Sequence, residues 1–460
     1  MPRTSDIVIL SNRLPVHRVR RAGRTTWETS PGGLVSALTP VLQGQNCTWI
    51  GWAGTSGKPP APFEHGGIRN EPIQLSKDEL AGYYDGFSNA TLWPLYHDAI
   101  RPPEYRRRWW HPYEEVNRRF ADAAAAAVSR NGIVWVHDYH LQLVPRMIRE
   151  RRPDVKIGFF LHIPFPPQEL FAQLPWRTQV LEGMLGSDVV GFQTAQGAQN
   201  FFQLCKRFVR CSGRSGDLQV GKRTCRVRSF PISIDTARFE GLAKSPEVEA
   251  RAAKIKEQLG PRRRIVLGVD RMDYTKGIDI RIKAYGELLR SRRTTLQDSV
   301  FVQVAVPSRE RVDEYQTLRD EVERLVGAIN GTFGELGVAP IHYLHRSMPA
   351  EELVGLYLAA DVMVVTPFRD GMNLVAKEYV ATRIDDDGVL LLSEFTGSAY
   401  ELKDALQVNP HDVDGLTNRM FAALTMSPTE QARRMRRLRR IIKENTVYDW
   451  ANSFFEALSA

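Results

Sequence analysis

The segment 366–378, Thr-Pro-Phe-Arg-Asp-Gly-Met-Asn-Leu-Val-Ala-Lys-Glu, combines charged and amide side chains with a glycine. The β-branched residues just before it predict a buried strand, and its second half predicts a helix. A turn between a strand and a helix presents free backbone N–H groups at the helix N-terminus, where phosphates bind. Glu378 then lies one or two turns into the helix, within reach of ribose hydroxyls. An ordinary junction explains the glycine but not Arg369, Asp370 and Asn373 together, so we favour a ligand site.

A second group of charges follows another predicted strand, residues 265–269. Arg271 and Lys276 lie five positions apart in the run Val-Asp-Arg-Met-Asp-Tyr-Thr-Lys-Gly. These cations either pair on the surface with Asp270 and Asp273 or clamp a diphosphate, the arginine as a fork and the lysine as a point charge. Their position at a strand end favours the clamp.

The N-terminal half carries polar residues of its own beside predicted strands. Asp138, flanked by two histidines, either caps a turn or holds a sugar hydroxyl. A metal on these three residues is disfavoured because neighbouring residues of a strand point to opposite faces. His162 is equally consistent with a satisfied core histidine and with a ligand contact. Gly32 and Gly33 precede an apolar helix and suggest close approach of the backbone to a ligand, although a diglycine alone is a weak signal.

The composition bounds the class of protein. The chain has 460 residues, 43% hydrophobic and 25% charged, as expected of a soluble globular protein with two domains. No apolar run approaches the roughly 18 residues of a membrane span, and the first apolar run is too short for a signal-peptide core. The four cysteines form no C-x-x-C pair, which disfavours zinc. We therefore expect a cytoplasmic protein with free thiols and no membrane partner.

The net charge of +9 raises the question of a nucleic-acid partner. Its densest source is the run 433–440, in which apolar residues recur at helical spacing. This pattern predicts an amphipathic helix with a solvated basic face, and no nucleic-acid-binding signature accompanies it. A positive field suits small anions equally well, so we expect phosphorylated small-molecule substrates and no nucleic acid.

Strands and helices alternate through both halves of the chain, which predicts parallel sheets covered on both faces. The predicted strands are residues 7–10, 48–52, 133–136, 157–161, 189–192, 265–269, 300–306, 341–344, 362–366 and 389–392. The predicted helices include residues 141–149, 197–209, 247–259, 278–289, 309–326 and 350–359.

The candidate residues fall at the carboxyl ends of these strands, where open parallel sheets bind their ligands. Candidates in both halves imply an α/β protein with two doubly wound, Rossmann-like domains facing each other across a cleft. The expected domains are residues 1–235 and 236–445. A C-terminal helix, residues 446–460, carries aromatic residues at helical spacing and is predicted to pack into a core.

Several motifs together resemble those of the trehalose-6-phosphate synthase family, retaining glycosyltransferases of the GT-B fold. They include Ser-Asn-Arg-Leu-Pro at 11–15, Pro-Gly-Gly-Leu at 31–34, His-Asp-Tyr-His at 137–140 and Phe-Leu-His-Ile-Pro-Phe-Pro at 160–166. The strand end at Arg271 and the segment 366–378 complete the set, which runs nearly from end to end. In the GT-B fold that this resemblance implies, the last helix crosses back onto the N-terminal domain.

The resemblance implies a role for each matched position. The donor, a nucleotide-glucose, would be bound by Gly32, Gly33, His162, Arg271, Lys276, Asp370, Gly371, Met372, Asn373, Leu374, Val375 and Glu378. The acceptor, glucose 6-phosphate, would be bound by Arg13, Trp52, Tyr84, Trp93, Asp138 and Arg309. The residues expected to act in catalysis are Asp138, His162, Arg271, Lys276 and Asp370.

The resemblance also implies a mechanism, namely front-face transfer through an oxocarbenium-like state. No protein nucleophile and no required metal or other cofactor is expected, with Mg²⁺ at most stimulatory; Arg271 and Lys276 would stabilise the leaving diphosphate. UDP-glucose is favoured narrowly over GDP-glucose, and a homo-oligomer is allowed. Two alternatives stay open: a sister transferase acting on another phosphorylated acceptor, such as a glucosylglycerol-phosphate synthase, and a binding protein of this fold without turnover.

Overall fold

The computed structural model describes residues 4–21, 24–30, 33–42, 44–308 and 313–460. Within these residues the chain forms two compact units. The N-terminal unit contains the residues up to Ile232 together with Val447–Ala460, and the C-terminal unit contains Ser233–Thr446. Each unit is built on its own sheet.

The N-terminal unit has a ten-stranded sheet in the order β10-β11-β12-β9-β8-β7-β1-β4-β6-β5. Strands from β12 to β6 pair in parallel, and antiparallel pairs occur only at its two edges among the described residues. Strands β2 and β3 form a separate antiparallel hairpin. The strands are β1 (Ser5–Arg13), β2 (Val16–Arg21), β3 (Arg24–Thr29), β4 (Cys47–Trp52), β5 (Phe63–His65), β6 (Ile68–Ile73), β7 (Val128–His137), β8 (Lys156–Phe160), β9 (Val189–Phe192), β10 (Ser212–Arg214), β11 (Asp217–Val220) and β12 (Arg223–Ser229).

Helices connect these strands, as the right-handed crossovers of a parallel sheet require. They are α1 (Gly33–Leu42), α2 (Lys77–Glu79), α3 (Trp93–Tyr96), α4 (Arg107–Ala127), α5 (Val144–Arg151), α6 (Gln168–Phe171), α7 (Arg177–Met184) and α8 (Ala195–Phe208). A π-helix, Leu80–Leu92, lies between α2 and α3, and a 3₁₀ turn, Tyr139–Leu141, follows β7. The predicted helix 141–149 is wrong at its start, because the chain leaves β7 through that turn.

The C-terminal unit has a six-stranded sheet in the order β15-β14-β13-β16-β17-β18, with every pair parallel. Buried β-branched and leucine side chains fill both faces of this sheet, which is why its strands appear as continuous apolar runs in the sequence. The strands are β13 (Arg264–Arg271), β14 (Ser299–Val306), β15 (Ile341–Leu344), β16 (Val362–Val365), β17 (Val389–Ser393) and β18 (Leu406–Val408).

The helices of the C-terminal unit lie between and after these strands. They are α9 (Thr236–Ala243), α10 (Pro246–Leu259), α11 (Ile278–Arg290), α12 (Asp313–Phe333), α13 (Ala350–Ala359), α14 (Leu374–Thr382), α15 (Val413–Leu424) and α16 (Pro428–Glu444), with 3₁₀ turns at Tyr274–Lys276 and Gly397–Tyr400. The predicted α/β class with doubly wound parallel sheets is confirmed. The start of the predicted helix 309–326 lies outside the described residues.

Helix α16 contains the basic run of the sequence. Met435, Leu438 and Ile442 are buried on one of its faces, as the amphipathic pattern predicts. Its arginines form ion pairs with acidic residues of the same unit: Arg433 and Arg434 with Glu430, Arg436 and Arg439 with Asp386, and Arg437 with Asp404. Three local carboxylates therefore pair with five of the six arginines in this run.

The last helix, α17 (Val447–Ser459), packs on the sheet of the N-terminal unit. The Phe454 ring stacks on Trp135 with a centroid distance of 4.5 Å. It covers two glycines of neighbouring strands, Gly158 and Gly191, where an added Cβ would lie 2.5 and 2.9 Å from the ring. These glycines leave room for the aromatic ring and so define the position at which the helix packs on the sheet. None of the helices in the described part of the chain has the length and apolar character that crossing a membrane needs.

We predict that Phe454→Ala lowers the free energy of unfolding of the N-terminal unit by about 3–5 kcal/mol, since truncating a buried Phe leaves a cavity. The matched control is Phe455→Ala on the same helix, whose ring is only half-buried. Chemical unfolding followed by tryptophan fluorescence measures both changes. Equal losses in the two variants would contradict this account of how α17 docks.

Candidate functional site

Two residues predicted for the acceptor meet at the carboxyl ends of β1 and β4. The parallel register places Arg13 opposite Trp52. The guanidinium carbon of Arg13 lies 4.7 Å from the centroid of the Trp52 ring, a cation–π contact. Gly54 has a φ of +89°, and a Cβ there would lie 2.3 Å from a guanidinium nitrogen of Arg13. The positive φ favours glycine at this position, which leaves the arginine its space, and the sequence analysis did not single out Gly54.

The π-helix brings Tyr84 to the same place. Its ring centroid lies 6.1 Å from that of Trp52 and 5.8 Å from that of His140, on which it stacks. His140 also contacts Tyr139, and the Tyr139 ring lies 5.6 Å from Trp93. The predicted residues Trp52, Tyr84 and Trp93 therefore belong to one chain of aromatic rings. A π-helix is a rare element that frequently occurs at functional sites, and no pattern in the sequence indicated it.

Asp138 and His162 are adjacent where β7 and β8 end. Asp138 has a φ of +75°, an uncommon value for a residue with a side chain. Its N–H donates to the Phe160 carbonyl at 2.8 Å, and its carboxylate accepts the His162 N–H at 3.3 Å. His162 also lies beside His137, with Nε2 and Nδ1 of the two rings 3.1 Å apart. Burial lowers the pKa of His162 to about 3, so this imidazole is neutral near pH 7.

In the C-terminal unit, Lys276 and Asp370 form an ion pair with Nζ and Oδ2 2.6 Å apart. Asn373 donates to the same carboxylate oxygen at 3.1 Å, and its own side-chain oxygen caps α14 by accepting the Ala376 N–H at 3.2 Å. Asn373 adopts a φ of +72° to do both. The ion pair thus joins the segment 366–378 to Lys276, the second of the two cations predicted after β13.

Arg271 has a more open setting. Its side chain is 47% exposed and lies 4.0 Å from Asp273, as expected if this arginine pairs with an aspartate on the surface. Lys276, by contrast, does not pair with either neighbouring aspartate but with Asp370, 94 residues away. The side chain of Arg271 is therefore partly exposed, whereas Lys276 is held by a carboxylate.

A distant segment supports the turn at Asp370–Met372. The Asp370 N–H donates to the Phe395 carbonyl at 3.1 Å, and the Ser398 N–H donates to the Met372 carbonyl at 3.0 Å. A Cβ on Gly397 would lie 2.0 Å from the Gly371 carbonyl oxygen, so this approach requires glycine. Gly397 and Ser398 were missed, because nothing near them in sequence marks their partner.

Glu378 is the fifth residue of α14. Its carboxylate accepts the Tyr357 hydroxyl at 3.1 Å. Burial raises the pKa of Glu378, and this hydrogen bond opposes the rise. A half-buried carboxylate that is held in place can accept hydrogen bonds from a diol, as its predicted ribose role requires.

Arg281 joins the two strand ends of this site. Its guanidinium is fully buried and donates to Asp270 at 2.6 Å, to the Thr366 hydroxyl at 3.0 Å and to the Val364 carbonyl at 3.1 Å. A further N–H donates to the Lys276 carbonyl at 2.6 Å. Burial raises the pKa of Asp270, and the charges of Arg281 and Lys276 oppose that rise. Arg281 therefore fixes the turn that carries Lys276.

The model of glycosyltransferase family 20 matches residues 5–460 of the chain. This chain belongs to glycosyltransferase family 20. A trehalose-6-phosphate synthase of Mycolicibacterium smegmatis is 54% identical, over 99% of this chain and 93% of that protein. The chain is thus a glycosyltransferase, as predicted from its motifs.

Solved structures agree with this membership of family 20. An Escherichia coli structure, described as trehalose-6-phosphate bound with UDP-2-fluoro glucose, superimposes with a TM-score of 0.90 at 34% identity over 98% of both chains. A Burkholderia xenovorans synthase solved with glucose 6-phosphate superimposes with a TM-score of 0.89 at 34% identity, over 99% of this chain and 100% of that one. The GT-B fold predicted from the motifs is confirmed.

The remaining predicted site residues are glycines and backbone positions near two helix starts, together with Arg309. Gly32 and Arg309 lie outside the described residues. Gly33 begins α1, and Gly371, Met372, Leu374 and Val375 line the turn and the first turn of α14. Among the described residues no group of three or more His, Cys, Asp or Glu has the arrangement of a metal site.

We predict that Arg281→Met lowers the free energy of unfolding of the C-terminal unit by about 3–5 kcal/mol, because it leaves the Asp270 carboxylate buried without a partner. Arg281→Met combined with Asp270→Asn leaves no buried charge and should recover more than half of this loss. Denaturant unfolding measures both. Arg290→Met, an exposed arginine on the same helix, is the control and should cost under about 1 kcal/mol. A single variant as stable as the wild type would refute this role.

Proposed function

We propose that this chain transfers glucose, with retention, from a nucleotide-glucose to glucose 6-phosphate, giving α,α-trehalose 6-phosphate and a nucleoside diphosphate. The observation that carries the proposal is the meeting of Lys276, Asp370 and Asn373 within hydrogen-bond distance at the open ends of β13 and β16. A cation for a diphosphate and a carboxylate for sugar hydroxyls are thereby adjacent. The relatives solved with UDP-2-fluoro glucose and with glucose 6-phosphate support this choice of substrates.

On the donor side, Arg271 and Lys276 bind the diphosphate, and backbone N–H groups of residues 371–375 bind the phosphates and the sugar. Glu378 binds the ribose. Asp370 and His162 bind glucose hydroxyls, as a carboxylate and a neutral imidazole can. Lys276 would share its charge between Asp370 and the leaving phosphate, so it needs little movement to act.

On the acceptor side, Arg13, Tyr84 and Trp93 bind the phosphate with Arg309, and Trp52 and Asp138 lie at the sugar. The cation–π contact between Arg13 and Trp52 holds the guanidinium ready for an anion. A prepositioned arginine loses little side-chain entropy when the phosphate arrives.

The reaction needs no protein nucleophile. The acceptor hydroxyl attacks the anomeric carbon on the face that the diphosphate leaves, the bond between this carbon and the phosphate oxygen breaks, and the hydroxyl proton passes to that phosphate. The protein aligns both substrates and stabilises the departing charge. Because Arg271 and Lys276 supply this positive charge, we expect turnover to persist in EDTA, with no cofactor required.

Incubation with UDP-, GDP- or ADP-glucose and either glucose 6-phosphate or glycerol 3-phosphate tests this proposal. Release of nucleoside diphosphate and NMR of the product report transfer and anomeric configuration. Glycerol 3-phosphate as the better acceptor would favour the sister transferase. No release with any pair would favour a binding protein without turnover.

We predict that Arg271→Ala or Lys276→Ala lowers turnover by ~10²-fold or more, because each residue stabilises charge that grows in the transition state. Arg264→Ala is the control, since this arginine lies at the other end of the same strand. Steady-state kinetics of the folded variants measure the effect. Unchanged turnover in either variant would remove that residue from the mechanism.

We predict that Arg13→Ala, and likewise Arg309→Ala, raises the apparent KM for glucose 6-phosphate far more than that for the donor. Free glucose should be a very poor acceptor for the wild type, since it leaves the cations without charge-assisted bonds. Arg118→Ala, an exposed arginine of α4, serves as the control. Efficient glucosylation of free glucose would contradict the assignment of this phosphate site.

We predict that UDP-glucose is preferred to GDP-glucose. The base should lie beside the end of β15, near residues 345–348, where Arg346 is held by Glu352 at 2.5 Å. Small Ser347 and flexible Met348 offer room for a purine, so the margin is narrow. Comparison of kcat/KM for the two donors measures it. A value at least tenfold higher with GDP-glucose, or ~1.4 kcal/mol of differential transition-state binding, would reverse the ranking.

A further inference from the structure

The buried residue His137 contacts His162 and has no role among the substrate-binding residues above. His137 is fully buried, whereas His162 is only partly so. Nδ1 of His137 and Nε2 of His162 are 3.1 Å apart, and the two rings are 5.2 Å apart. A substrate can therefore reach His162 but not His137.

One proton must lie between these two nitrogen atoms. Two unprotonated nitrogens at this distance repel, and so do two N–H groups, so one ring donates and the other accepts. Burial lowers the pKa of both imidazoles, which keeps both neutral. Each ring therefore carries a single proton. Because Nε2 of His162 faces His137, the direction of this hydrogen bond decides whether the other nitrogen of His162, Nδ1, is an N–H donor or a bare acceptor.

The surroundings of His137 select the direction. Its ring lies 4.7 Å from that of Trp135, which in turn stacks on Trp450 at 5.1 Å. Within the described part of the chain, Nε2 of His137 and the indole N–H groups of Trp135 and Trp450 are buried with no hydrogen-bond partner. Indoles only donate. Nε2 of His137 lacks a partner in either tautomer, but in a region with two indole donors that lack an acceptor, a bare acceptor nitrogen costs less than a third N–H donor. The proton of His137 therefore belongs on Nδ1.

We propose that His137 is a positioning residue that donates from Nδ1 to Nε2 of His162 and so holds His162 in its Nδ1–H tautomer. His162 then presents an N–H donor, rather than a bare nitrogen, to its ligand. The backbone of His162 is held separately, by Asp138 at its N–H and by Gln193 at its carbonyl. His137 thus controls the ring alone. That the ligand is a sugar hydroxyl rests on the proposed function, but the tautomer does not.

The test uses the full chain with ¹⁵N-labelled histidine. Imidazole ¹⁵N shifts distinguish the two neutral tautomers, and the spectrum of His162→Asn identifies the signals of His162 among the ten histidines. We expect the ligand-free wild type to carry the His162 proton on Nδ1. A proton on Nε2 would overturn the proposal. Because this reading needs no substrate and no variant of His137, it stands even if those variants fold poorly.

Substitutions of His137 provide the second readout. Asn places an amide donor near the position of Nδ1 and should keep both the tautomer and most of the turnover. Leu cannot donate; it should let the Nε2–H tautomer of His162 appear and lower kcat about tenfold, the scale of one lost hydrogen bond, with little change in the KM for glucose 6-phosphate. His111→Leu, an exposed histidine, is the control and should change neither readout. Equal behaviour of the Asn and Leu variants would also overturn the proposal.

These outcomes separate the two proposals. A wild type that carries the predicted tautomer but transfers no glucose leaves the positioning role intact and removes the proposed function. An active wild type with the other tautomer removes the positioning role alone.

Discussion

The donor side of this molecule depends on the buried guanidinium of Arg281. A charge without access to water must have its hydrogen bonds satisfied by protein, because its desolvation costs several kcal/mol. Asp270, Thr366 and the carbonyls of Val364 and Lys276 satisfy it. These partners belong to two strand ends and to the turn between β13 and α11, so all three must be in place together. The hydrogen bonds that satisfy Arg281 therefore fix the position of the Lys276 backbone. They thereby also position the ion pair between Lys276 and Asp370.

Strand order explains why polar residues converge in each unit. β1 lies between β4 and β7, and β13 lies between β14 and β16. The strands that follow each central strand along the chain therefore lie on both of its sides. A crevice opens at the carboxyl ends where the direction reverses. Arg13 and Asp138 lie at this point in the N-terminal unit, as Arg271 and Asp370 do in the C-terminal unit. Each group belongs to the end of a rigid strand or to the turn that follows it, which suits alignment of substrates better than a long loop does.

Backbone strain and close approaches are concentrated at the same strand ends. Asp138 and Asn373 hold left-handed φ values despite their side chains, at a cost of about 1–3 kcal/mol each. Gly54 and Gly397 leave space for Arg13 and for the Gly371 carbonyl. Hydrogen bonds within the protein hold these conformations. Such preorganisation suits a reaction in which the protein mainly orients two substrates and stabilises a leaving anion.

The sequence by itself determined the class of fold, ten of the thirteen described strands that pair in parallel, and the candidate residues at the ends of those ten, because β-branched runs and polar strand ends are local patterns. Its motifs also predicted the family. Only the tertiary structure decided how these residues pair. Lys276 and Asp370 are 94 residues apart, the Gly397 segment supports a turn that no local signal links to it, and Arg281 resembles any arginine of an amphipathic helix until its burial is known. The edge hairpins, the π-helix and the pairing of His137 with His162 are of the same kind. Strand order and helix packing determine these contacts, and both arise from the whole chain rather than from any window of it.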